Sequence, residues 1–173
     1  AGKSTLIHLL AGALQPDRGQ ILIGGKPTRF GNAREAAHAG IAAVFQELSL
    51  VGALSVEENI FANRQPVNRL GFVRGAELHL RAAELLRTFA VAIPPETPVE
   101  LLSAAERQVI EILKCIAAGP RVLLLDEPTS SLTQREKAVL FALIGRLREQ
   151  QHAILYISHH LSEVLVLADR VTV

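Results

Sequence analysis

The chain has 173 residues, with 18 Lys+Arg against 17 Asp+Glu, 49% apolar residues, one cysteine and neither Met nor Trp. That length supports one globular domain, or one with a small subdomain. The near-balanced charge argues against a basic face for duplex nucleic acid, because neutralising many phosphates requires a concentrated excess of Lys and Arg. A lone thiol, Cys115, forms no intramolecular disulfide, which suits a reducing compartment. No apolar run approaches the roughly 18 residues of a spanning helix, so the chain is not itself a membrane channel.

In chain order, Ala1-Gly2-Lys3-Ser4-Thr5 leads into an apolar helical run through Leu6, Ile7, Leu9 and Leu10. Gln20-Ile21-Leu22-Ile23, closed by Gly24-Gly25, predicts a short strand and turn, and Ile41 to Phe45 after Gly40 predicts another strand. Leu78, Ala82, Leu85, Leu86 and Phe89 form a helical stripe, as do Val109, Ile112, Leu113, Ile116 and Ala117, with Pro94-Pro95 and Pro98 between them. Val122 to Leu125 and Ile154 to Ile157 are continuous apolar tetrads, the pattern of strands buried on both faces. Further stripes run through Leu140, Leu143, Ile144 and Leu147, and through Leu161, Val164, Leu165 and Ala168. Strands alternating with helices predict an α/β fold with a parallel-rich sheet. The expected division is a core of residues 1–65 and 119–173 with a helical subdomain at 66–118.

Two segments carry phosphate chemistry. Ala1 to Thr5 matches the end of G-x-x-x-x-G-K-[ST], in which backbone N–H groups cradle phosphate oxygens, Lys3 places a charge on the β/γ-phosphates and Ser4 ligates Mg²⁺. Val122-Leu123-Leu124-Leu125-Asp126-Glu127 is a buried strand ending in two carboxylates. Asp126 would hold the metal through water, and Glu127 would polarise the attacking water. For each motif alone the alternatives are a chance Gly-Lys-Ser at a helix start and a solvated Asp-Glu-Pro turn. Together they make chance a minor explanation, because they match the two halves of a phosphoryl-transfer site in the order that a P-loop ATPase uses.

With these motifs the chain resembles the ATP-binding cassette ATPases, and the resemblance covers essentially all of it. Phe45-Gln46-Glu47-Leu48 is similar to the Q-loop of that family, and Leu102-Ser103-Ala104-Ala105-Glu106-Arg107-Gln108 lies where its signature sequence falls. Pro128-Thr129-Ser130-Ser131-Leu132-Thr133 is similar to the D-loop, and Ser158-His159-His160-Leu161 to the switch-histidine loop. The resemblance implies a P-loop, RecA-like core, with ATP and Mg²⁺ as ligands. It implies Gly2, Lys3, Ser4, Thr5, Gln46, Ser103 and Ala105 at the nucleotide, Ser4, Gln46 and Asp126 at the metal, and Glu127 and His159 in catalysis. Each has its own physical reading. Gln46 follows a buried strand, Ser103 is an N-cap whose neighbouring free N–H groups suit an anion, and His159 at a strand end would donate to a charged phosphoryl group. His8, His38, His79, His152 and His160 lack such placement and read as surface or packing residues, and Cys115 as a small core residue.

Gly25-Lys26-Pro27, Ala39-Gly40-Ile41-Ala42, Gln46 to Leu50, Val56 to Phe61, and Thr133 resemble the sugar-import branch, in particular the first of its two fused cassettes. The resemblance implies an ATP-hydrolysing subunit of a monosaccharide importer at the cytoplasmic face of the cell membrane. Its implied partners are a second cassette (tandem or homodimeric), an integral membrane permease and, indirectly, a periplasmic or extracellular sugar receptor, with no nucleic acid. The competing expectations are a cassette ATPase acting on ribosomes or DNA, and a low-turnover regulatory module. Ala104, Ala105 and Glu106 depart from the commonest signature, and a Cβ at Ala105 is expected to crowd phosphate and Glu106 to repel it. With no initiator Met and a start inside the phosphate loop, the chain is expected to be a fragment that alone folds poorly and binds ATP weakly.

Overall fold

The computed structural model describes residues 2–172. Helix α1, Lys3–Leu10, starts directly after Gly2, whose φ of 98° lies in the left-handed region. It stops at Gly12, where an added Cβ would sit 2.6 Å from the Asn32 carbonyl oxygen, so only glycine lets the two backbones approach. Strands β1, Ile21–Ile23, and β2, Lys26–Thr28, pair antiparallel. They turn through Gly24 and Gly25, both at positive φ, as a two-residue hairpin requires.

Next come α2, Ala33–His38, β3, Ile41–Val44, α3, Val56–Ile60, and α4, Gly75–Thr88. A short helical turn at Val99–Leu101 precedes α5, Ala104–Ile116, β4, Val122–Asp126, and α6, Gln134–Glu149. The described chain closes with β5, Ala153–Ile157, and α7, Leu161–Leu167. The starts of α3, α5 and α6 are fixed by Ser/Thr-x-x-Glu capping boxes at Ser55, Ser103 and Thr133.

The main sheet is parallel in the order β3-β4-β5, with Val44 opposite Leu125 and Asp126 opposite Ile157. β4 is central, which explains its apolar tetrad. Leu123 and Leu125 join a cluster with side chains of α3 to α6, while Leu124 faces the opposite cluster with Ile7, Phe30, Ala36 and Ile41. All three leucines are fully buried, each worth about 1.5–3 kcal/mol of apolar burial.

Within the stretch expected to be helical lie α4, the short turn and α5, and α3 packs on both longer helices. The prolines between α4 and α5 also serve α3: Glu57 N–H donates to Pro95 O at 2.9 Å and Val56 N–H to Thr97 O at 2.9 Å. The buried cluster runs continuously from Val56, Ile60 and Leu86 through Val109 and Leu113 to Leu123 and Leu140.

The stripes of α4, α5 and α6 face the core as their spacing predicts, but that of α7 does not. Leu161 and Leu165 are largely exposed, Ala168 is exposed, and Val164 is half-buried. The helix instead turns Glu163 and Leu167 inward. Turned this way, Glu163 accepts from four donors on neighbouring elements, each of which would otherwise need another partner.

Candidate functional site

Parallel register brings the carboxyl ends of β4 and β5 to one sheet edge, and α1 packs against β4 beside it. At that edge β4 ends in Asp126. Glu127 follows at φ 48°, a left-handed conformation uncommon for glutamate, and its N–H donates to Ile157 O at 3.0 Å. The chain leaving β5 carries His159 two residues beyond the strand.

Three side chains from separate elements meet here. Lys3 Nζ lies 3.3 Å from His159 Nδ1, and His159 Nε2 lies 2.5 Å from Glu127 Oε1. An ammonium has no lone pair, so Nδ1 accepts from Lys3 and the Nε2–H donates to Glu127. That assigns the neutral Nε2–H tautomer from the hydrogen-bond network. The His159 side chain is 65% exposed, so the contact contributes little stability, and the groups remain open to a ligand.

Asp126 lies next to this chain of contacts. Burial first, then the Glu127 carboxylate, raises its pKa, while His8, His159 and Lys3 oppose the rise. Its Oδ1 is buried and accepts no hydrogen bond in the described structure. A partnerless buried carboxylate oxygen at a strand end has the donor chemistry of a hard-cation ligand, as has the exposed Ser4 hydroxyl at the start of α1, so these residue types fit Mg²⁺. His8, expected to be a surface or packing residue, is half-buried and packs against an aromatic neighbour. From the last turn of α1 its ring lies tilted against that of Phe45, centroid to centroid 5.8 Å.

Gly2, Lys3, Ser4 and Thr5 line the exposed start of α1, and Ala1 lies outside the described residues. Gln46 is exposed two residues after β3, and Ser103 and Ala105 begin α5. Among the described residues no hydrogen bond or ion pair joins Gln46, Ser103 or Ala105 to the Lys3–His159–Glu127 group.

At the start of α5, Ala105 is 4% exposed with its side chain in the core cluster. Its methyl therefore lies in the core rather than at the exposed helix opening. Glu106 is engaged as a cap: its Oε2 accepts from Ser103 N at 2.8 Å. A second carboxylate, Glu136 of α6, has its pKa lowered by the Thr133 N–H and hydroxyl, against a small burial effect, and also by the Ala105 N–H. Glu106, one of the chain's own carboxylates, thus occupies a donor at the start of α5.

Sequence reasoning missed two buried carboxylates. Glu111 of α5 accepts from Ser49 N–H at 3.2 Å and Ser49 Oγ at 2.6 Å, tying the segment after Gln46 to that helix. Glu163 accepts from Thr129, Lys137, Tyr156 and Ser158. The available signal was a glutamate on the side of its helix opposite the apparent apolar stripe, which by itself reads as solvated.

The fold is that of the P-loop NTPases, an α/β layer structure with the candidate site at the carboxyl edge of a parallel sheet. Residues 1–130 match the ABC transporter family model, and the chain belongs to that family. It is 45% identical over 173 residues to the ribose import ATP-binding protein RbsA 1 of Streptomyces avermitilis. It is 44% identical over the same span to a protein of Burkholderia cenocepacia (strain HI2424) provisionally named as a ribose/galactose/methyl galactoside import ATP-binding protein. All of this chain is covered in both, but only 33% of each relative, so the chain spans about a third of the length of the curated relatives it matches. Among solved structures, an ATP-binding cassette of an ABC transporter in its ADP conformation superposes with a TM-score of 0.77 at 22% identity. The match covers 95% of this chain and 68% of that one, and it is a likeness of fold.

Proposed function

We propose that this chain is the nucleotide-binding part of an ATP-hydrolysing subunit of an ABC importer for a monosaccharide. The observation that carries the proposal is the meeting of Lys3, His159 and Glu127, with Asp126 alongside, at one sheet edge. In this reading the N–H groups at Gly2 to Thr5 and the Lys3 ammonium take the phosphate tail of ATP. Glu127 accepts a proton from the attacking water, and His159, already holding Nε2–H, donates to the transferred group's developing charge. Ser4, Gln46 and Asp126 would hold Mg²⁺, which when bound neutralises charge on the β- and γ-phosphates.

Ser103 and Ala105 would serve the site of a second cassette closing over the nucleotide, tandem in the same polypeptide or as a homodimer. Capture of the Ser103 N–H by Glu106 supports an asymmetric pair in which the opposite site is weaker. The unit that moves on closure would be the 66–118 helical subdomain together with α3, working on an integral membrane permease at the cytoplasmic face. A sugar receptor would act only through that permease.

Action on ribosomes or DNA is disfavoured by the helical face. Arg74 and Arg81 pair with Glu77, whereas Leu70, Phe72 and Val73 are exposed, a surface suited to an apolar partner. A regulatory role without turnover is disfavoured by the intact Glu127–His159 contact. The test is ATP turnover by the complete transporter carrying Glu127→Gln. A fall of about a hundredfold or more is expected with nucleotide binding retained, and unchanged turnover removes this site as the hydrolytic one.

A further inference from the structure

Glu163 lies outside the Lys3–His159–Glu127 group, yet it is only 4% exposed and saturated with donors. Its Oε2 accepts from Thr129 Oγ1, Tyr156 OH and Ser158 Oγ, each at 2.8 Å, and its Oε1 accepts from Lys137 Nζ at 2.7 Å. These donors come from the loop after β4, from α6, from β5 and from the loop after β5.

Two of them are placed with the chemistry. Thr129 is two residues beyond Glu127, in a turn closed by Ser130 N–H to Glu127 O at 3.2 Å and Leu132 N–H to Thr129 O at 3.1 Å. Ser158 immediately precedes His159, and because its hydroxyl proton is committed to Glu163, its lone pairs are free to accept from His160 N–H at 2.9 Å. One hydroxyl therefore holds the backbone on both sides of His159. Both partners of the 2.5 Å Glu127–His159 contact stand beside a hydroxyl anchored on the same buried carboxylate.

We infer that Glu163 is a positioning residue that fixes the spacing of Glu127 and His159 by tying the loop after β4 to the loop after β5. This rests on the reading of Glu127 and His159 given under the proposed function. A carboxylate buried only for stability is poorly explained, since an apolar side chain of similar size usually serves as well or better. A carboxylate receiving hydroxyls from both site loops sets geometry. Glu163 is held in its charged form, well below the ordinary glutamate range: burial opposes this, and the hydrogen bonds from Lys137, Thr129, Ser158 and Tyr156 outweigh it.

The test is steady-state ATP turnover of the complete transporter, with kcat normalised to measured nucleotide-binding stoichiometry so that lost folded protein does not count. Glu163→Gln is expected to lower kcat about ten- to a hundredfold with KM for ATP within about twofold, the pattern of misplaced groups rather than weakened binding. Ser158→Ala, which leaves the carboxylate three donors, is expected to lower kcat several-fold. Added to Glu163→Gln it is expected to cost little more, because both act through one contact. Normalised kcat of folded Glu163→Gln within about twofold of the parent overturns the inference, as does full additivity of the two substitutions. If Glu163→Gln does not fold, Ser158→Ala decides: undiminished normalised kcat overturns the inference, and a loss with KM retained supports it. Glu127→Gln in parallel separates the two readings. If it abolishes turnover while Glu163→Gln and Ser158→Ala change nothing, positioning alone fails. If Glu127→Gln leaves turnover intact, the catalytic reading fails and the inference with it.

Discussion

Removing the charge of Glu163 is expected to change how the β5–α7 region responds to acid. The hydrogen bonds to its carboxylate, working against burial, bring its pKa from 4.5 to about 2. A carboxylate whose folded pKa is depressed contributes stability above its unfolded pKa and loses it as pH falls toward the folded value. The window is therefore about pH 4.5 down to about 2. At about 1.4 kcal/mol per pH unit, going from pH 6 to pH 3 should remove about 2 kcal/mol, roughly a thirtyfold rise in the opening equilibrium. Glu163 is buried, so this magnitude needs no large discount for solvent screening. Amide hydrogen exchange across residues 153–167 in the complete polypeptide reads the effect locally. Glu163→Gln should remove about thirtyfold of the acid dependence while lowering protection at pH 6, because Lys137 is left buried without its partner. Lys137→Met combined with Glu163→Gln should recover part of that loss. The same pH slope in the parent and in Glu163→Gln would refute the reasoning.

Further outcomes follow from individual residues. Burial, then the Glu111 carboxylate, raises the Cys115 thiol to about 11, against opposing effects of Lys114 and Arg64, so it should resist iodoacetamide at pH 8 and react only on denaturation. Rapid alkylation of native protein would contradict that burial. Leu124→Ala should cost about 3–5 kcal/mol, because the side chain is fully enclosed between α1, α2 and the sheet. A chemical-denaturation loss below about 1 kcal/mol would mean that β4 is not central. Lys3→Ala should weaken ATP binding by about tenfold or more, read by displacement of a fluorescent nucleotide, since it removes the ammonium at the phosphate site. Unaltered affinity would place the phosphates elsewhere.

Much of the fold was legible because its signals are local. The Leu123–Leu125 run, the stripes of α4 to α6, the short strand and turn closed by Gly24-Gly25 and the Ser103 cap each follow from side chains a few residues apart, whereas the pairing of that strand with Lys26–Thr28 was seen only in the fold. The candidate site was legible as a list of residues, since Lys3, Glu127 and His159 each stand at the end of a recognisable element. The face of α7 was not. A helical stripe says which residues share a side, but not whether a neighbouring element offers leucines or hydroxyls to that side.

What this sequence determined alone was periodicity, capping and the order of chemical groups, because those depend on backbone geometry over one or two turns. Tertiary structure decided which groups touch. The neutral tautomer of His159 depends on a lysine 156 positions away in the chain. The inward methyl of Ala105 depends on the core beneath it, and the charge of Glu163 on donors from four separate segments. Hydrogen bonding and desolvation act over a few ångströms of space, whatever the separation along the chain, and the folded contacts alone bring such distant residues within that range.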